Sequence, residues 1–105
     1  MTLGARLDAA TGHLPAPLAV VDLDALEANA DDLVRRAAGT PIRVASKSVR
    51  VREVLHRVLA RPGFAGVMGY SLREGLWLVS QGVDDVLLGY PTVDVGALDD
   101  LAANP

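Results

Sequence analysis

One lysine stands in this chain, at position 47, among ten basic residues of which the other nine are arginine. Its setting is "RVASKSVR", from Arg43 to Arg50. Arginine and lysine serve alike as solvated surface cations, but only lysine sheds a proton at accessible pH and then attacks a carbonyl to form a Schiff base. Within "IRVASK" strand alternation separates Ile42, Val44 and Ser46 from Arg43, Ala45 and Lys47. In a barrel of parallel strands the first set would pack on helices. The second would point inward, with Lys47 at the C-terminal mouth where barrel enzymes keep their chemistry. Burial and the nearby cations Arg43 and Arg50 would favour its neutral amine. A stray lysine left at a loop by an arginine-rich coding bias is the alternative, and count and placement leave both readings open.

Other residues could join such a site. Arg43 shares the parity of Lys47 and needs an acidic partner, or a ligand carboxylate or phosphate, because an unpaired cation inside a barrel is costly. Tyr70 and Tyr90 each end an apolar run, so both could reach the mouth with a hydroxyl and a ring face. Their bland reading is as amphipathic residues at a core boundary. Asp22 could touch a ligand but is better placed to cap a helix. His56 falls with Arg52, Glu53 and Arg57 on a polar helix side, His13 lies in the N-terminal lead-in, and no two histidines have ligand spacing, so no metal site is expected. The pair Asp84 and Asp85 reads as a loop, and Asp99 with Asp100 as a wet helix face.

The elements that must position these residues alternate short apolar runs with longer amphipathic ones. "LAVVD" (Leu18 to Asp22) precedes "DALEANADDLVRRAAG", with Asp24 and Glu27 as a capping box and Gly39 as a stop. "IRVAS" precedes "VREVLHRVLA", which Pro62 and Gly63 end. "FAGVMGY" precedes "SLREGLWLVSQG", where Ser71 and Glu74 form the S-x-x-E capping arrangement, and "DVLLGY" precedes "TVDVGALDDLAANP". Apolar runs without alternation suit parallel strands covered on both faces. The spacing predicts an α/β chain of about four βα units joined by right-handed crossovers. A doubly wound sheet is one solution, but the turn after the first run, "VVDLDALE", lacks the glycines of a phosphate-binding loop. The first half of a (β/α)8 TIM-type barrel is the other, since a whole one needs about 250 residues. "VGALDDLAANP" ends the sequence with no strand after it, which reads as an N-terminal fragment or as a half that must pair.

Composition narrows the class. A chain of 105 residues, half of them hydrophobic, can bury one small core, and a net charge of −3 argues against a nucleic-acid surface. The lack of cysteine removes disulfides, thiolate nucleophiles and Cys-type metal sites and fits a reducing cytoplasm. No stretch approaches the ~20 apolar residues of a membrane span, and Asp8 and two prolines break any secretory leader.

Four blocks, in order, carry a family resemblance: "APLAVVDLDALEAN", "R-x-x-x-K-S" at Arg43 to Ser48, "GYSLREG" and "GVDDVLLGYP". Together they resemble the N-terminal part of the alanine racemase-like pyridoxal-phosphate enzymes, in the D-threonine aldolase and D-serine dehydratase branch (amino acid deaminase/aldolase). The resemblance implies a lead-in over residues 1–15, then the N-terminal half of a cofactor-binding barrel over residues 16–105. It implies Lys47 as the catalytic lysine that bonds pyridoxal phosphate and an amino acid as substrate; Arg43, by its parity, and Tyr70, by its place at a strand end, are then expected beside the cofactor. A homodimer is implied for the intact protein, and the phosphate cradle would come from later strands. The chain departs from the branch in having Val44 and Ala45 where Pro-His is common, and Ser48 and Val49 where Thr-His follows the lysine. A racemase, or a non-catalytic cofactor carrier of the same fold, are the alternatives. The fragment alone is expected to be inactive.

Overall fold

A computed structural model describes residues 1–104. The chain divides into two compact units, Met1–Asp31 and Asp32–Pro105, with the division falling inside a helix. In order the elements are α1 (Leu3–Thr11), α2 (Leu23–Ala37), β1 (Ile42–Ala45), α3 (Arg52–Leu59), β2 (Phe64–Gly69), α4 (Leu72–Ser80), β3 (Val86–Leu88) and α5 (Val95–Ala103). The fold is mixed α/β with a three-stranded parallel sheet in the order β1-β2-β3.

The first unit departs from the expected pattern in three ways. Leu18–Asp22 forms no strand. A strand exists through its ladder, and this apolar run pairs with no neighbour, leaving Leu18, Val20 and Val21 exposed. Three βα units are therefore built where four were expected. The lead-in contains α1, whose N-terminus Thr2 caps by accepting from the Ala5 amide at 3.2 Å. The start of α2 is capped by Asp22, whose Oδ1 accepts from the Ala25 amide at 3.1 Å, two residues earlier than the expected box at Asp24 and Glu27. The capping role favoured for Asp22 is thus the one it has.

In the second unit three β-to-α alternations follow the predicted runs closely. α3 presents Leu55 and Val58 at i and i+3, and α4 presents Leu72, Gly75 and Leu78. Both helices pack on the sheet. Leu55, Val67, Leu78 and Val83 make the buried centre, with Val44, Val49, Leu59 and Val86 around it. Val44, Val67 and Val86 are mutual register partners, so one row of β-branched side chains crosses the covered face. The next row, Ala45, Met68 and Leu87, lies on the other face, where Leu87 is half exposed.

One irregularity sets this parity. Ile42 pairs with Phe64 but Val44 pairs with Val67, so two steps along β1 answer three along β2. The additional residue is taken up as a bulge in which Gly66 has φ of 76°, a left-handed conformation that favours glycine. No described helix is long and apolar enough to cross a membrane.

Candidate functional site

The site forms where β1, β2 and β3 end. Ser46 continues the ladder, its amide donating to the Met68 carbonyl at 3.1 Å, and a turn over residues 46–48 then carries Lys47 past the end of β1, where its side chain is exposed. Ser46 is buried at 2 % exposure. Its hydroxyl faces the Met68 carbonyl at 3.2 Å and donates to Glu74 Oε1, which ties the lysine turn to α4. The Ser71 hydroxyl caps α4 by accepting from the Glu74 amide at 3.2 Å. Only this half of the expected capping box forms, because the Glu74 carboxylate is turned to Ser46 instead of back to the cap.

Lys47 reaches across the strand ends. Its Nζ donates to Tyr90 Oη at 3.0 Å and lies 5.3 Å from the centre of the Tyr90 ring. Tyr90 meets Tyr70 edge to face, with ring centres 5.7 Å apart and planes at 72°. The Arg50 guanidinium lies 5.8 Å from the centre of the Tyr70 ring. Two phenols from the ends of β2 and β3 are thus bracketed by two cations from the β1–α3 connection. A hollow of about 360 Å³ opens beside the rings, lined by Tyr70, Ser71, Leu72, Tyr90, Pro91 and Thr92. A second, of about 310 Å³, adjoins Tyr70, Arg50 and Glu74 on the side of α3 and α4.

The electrostatics of Lys47 run opposite to the sequence expectation. The side chain is exposed, and the hydrogen bond to Tyr90 raises its pKa above the ordinary 10.5, with attraction to the same phenol adding to the effect and desolvation opposing it. The cations expected to push the amine towards neutrality do not prevail: Arg50 is engaged with Tyr70, and Arg43 with a carboxylate.

That carboxylate is Asp85, which precedes β3. Arg43 Nη1 and Nη2 donate to its two oxygens at 2.8 and 2.9 Å, a bidentate pair across the open face of β2. The bond from Arg43 holds the Asp85 carboxyl below its ordinary value. Arg43 Nη1 also approaches the Val67 and Asp85 carbonyls, each at 3.4 Å. The bulge at Gly66 makes the room: a Cβ there would stand 2.4 Å from Arg43 Nη1.

The structure therefore brings Lys47, Tyr70 and Tyr90 together and places Arg43 on Asp85, nearer the start of the strands. Sequence reasoning anticipated an acid for Arg43 but took Asp85 for a plain loop residue. It missed the Ser46 to Glu74 bond, although a hydroxyl on the helix-facing parity of a strand must find a partner. His56 is exposed on α3, and among the described residues no group of three or more His, Asp or Glu side chains could hold a metal ion. No protein-family model, curated protein or solved structure matches the chain.

Proposed function

We propose that this chain carries the amine-bearing part of a pyridoxal-phosphate-dependent amino acid lyase, of the D-threonine aldolase or D-serine dehydratase kind, acting in the cytoplasm. In this reading the three-stranded sheet belongs to the first half of a (β/α)8 barrel, and the face bearing Ala45, Met68 and Leu87 looks inward. The observation that supports it best is the position of Lys47. The only side-chain amine of the chain lies just past the C-terminal end of a parallel strand, accessible and against the Tyr90 ring, which Tyr70 meets edge to face.

The residues at this end fit an aromatic aldehyde. The amine bonds Tyr90, and Tyr70 and Tyr90 line the adjoining hollow together with Ser71 and Thr92. When bound, the cofactor supplies the electron sink that lets a bond at the substrate Cα break. The chain's own part is narrower. Lys47 Nζ, once neutral, would hold the cofactor by its carbonyl carbon, the two amine protons leaving with the carbonyl oxygen as water. Tyr70 would offer a ring face and a hydroxyl to the bound group. Arg43, held by Asp85, braces the sheet.

Borohydride reduction tests the assignment. The protein loaded with pyridoxal phosphate, reduced and digested, is expected to carry a pyridoxyl group on the peptide containing Lys47, and Lys47→Arg to lose it while keeping the charge. A pyridoxyl group on any other residue, or on none, overturns the proposal. Glycine and an aldehyde as products would mark the aldolase, and a keto acid with ammonia the dehydratase.

A further inference from the structure

We infer that Tyr90 is the positioning residue for Lys47: its hydroxyl accepts from Nζ and its ring lies against the ammonium, so the amine is parked at the open strand ends until a carbonyl ligand displaces the phenol. The inference rests on the reading of Lys47 as the carbonyl-binding amine and adds the group that controls it. Three features carry it. The 3.0 Å contact is a full hydrogen bond, so it fixes the direction of Nζ as well as its distance. The 5.3 Å approach to the ring adds attraction that depends on the charged form. Tyr90 is itself held, because Tyr70 packs edge-on against it and Tyr70 is in turn faced by Arg50.

A lysine side chain loses much rotamer freedom when it is fixed, and a surface lysine has no reason to fold over two strands without such partners. The distances in the sequence are 20 residues from Tyr70 to Tyr90 and 43 from Lys47 to Tyr90, so the cluster is a product of the sheet and not of local geometry. The ionisable groups around the amine are Tyr90 from the end of β3, Tyr70 from the end of β2 and Arg50 from the connection to α3, with Glu74 of α4 turned away to Ser46. A phenol accepts more strongly from an ammonium than from a neutral amine, so this bond opposes the deprotonation that attack requires. Tyr90 therefore delays capture of a carbonyl at neutral pH while it keeps the nitrogen in place.

The test uses the presence of one side-chain amine. Trace acetylation across pH 8–12, with the Lys47 peptide quantified against a simple lysine amide in the same tube, gives the pH profile of Lys47 alone. In the folded protein the midpoint is expected above 10.5, and in guanidinium at the ordinary value. Tyr90→Phe keeps the ring and removes the acceptor, so Lys47 should react about fivefold faster below its midpoint than in the parent chain. Tyr90→Leu removes both and should move it further. Coincident profiles for folded and denatured parent protein overturn the inference without any variant, and so does a Tyr90→Phe profile equal to that of the parent. The two proposals fail separately. A displaced profile with no pyridoxyl group on Lys47 sinks the cofactor reading, whereas a pyridoxyl group on Lys47 with an undisplaced profile sinks the role of Tyr90.

Discussion

Ser46 shows how much of this site depends on a residue that does no chemistry. It precedes the lysine, is buried, and joins the β1 turn to α4 through Glu74. Ser46→Ala removes the donor and leaves the half-buried Glu74 carboxylate without this partner, so unfolding by urea is expected to show a loss of about 1–3 kcal/mol. A variant as stable as the parent would show that Glu74 turns back to its cap without cost. At this scale the sequence was partly legible. Strand alternation separates Lys47 from Val44 and Ser46, and in the structure those two face the helices while Lys47 is exposed and bonds Tyr90 at the strand ends. Its ionisation was misjudged, because neighbours in sequence were taken for neighbours in space: Arg43 had already been claimed by Asp85, 42 residues away, and the lysine by Tyr90.

Among the elements, β1 to α5 follow the hydrophobic pattern within a residue or two, since apolar periodicity is the signal that decides which face packs. Leu18–Asp22 has the same pattern and forms no strand, because pattern offers a face but cannot supply the neighbour to which a ladder must bond. The bulge in β2 was equally hidden. "FAGVMG" reads as an unbroken strand, and only the pairing of Val44 with Val67 reveals the extra residue. Gly66→Ala is expected to be disruptive for two reasons that act together, a left-handed φ that alanine resists and a Cβ in the space of the Arg43 guanidinium. Strain of this kind costs about 1–3 kcal/mol, and the variant should also lose the Arg43 to Asp85 pair, visible as a rise in the Asp85 carboxyl pKa followed by NMR. An unshifted carboxyl would mean that the pair does not need the bulge.

At the level of the whole molecule, the second unit has a sheet with α3 and α4 packed on one face and a second face that bears Arg43, Met68, Leu87 and the lysine mouth. Two leucines measure the difference. Leu78 is 1 % exposed and Leu87 51 %. Leu78→Ala is expected to lower stability by about 2–5 kcal/mol and Leu87→Ala by no more than about 0.5 kcal/mol, both from denaturant unfolding. Equal losses would mean that Leu87 is covered in solution. The α/β class could be read from the repeating units, whereas closure into a barrel depends on strand-to-strand bonds that no single run of residues encodes. The bulge has a last consequence for the mouth. By inserting a half-step into β2 it turns everything downstream over, sending Val67 and Gly69 to the helices and Tyr70 to the phenol of the neighbouring strand. Excising Gly66 alone would restore a regular ladder with Val67 still opposite Val44, whereas straightening β2 with every residue kept would set Gly66 opposite Val44, swing the Tyr70 ring into the hydrophobic interior and leave Tyr90 to hold the amine without a buttress.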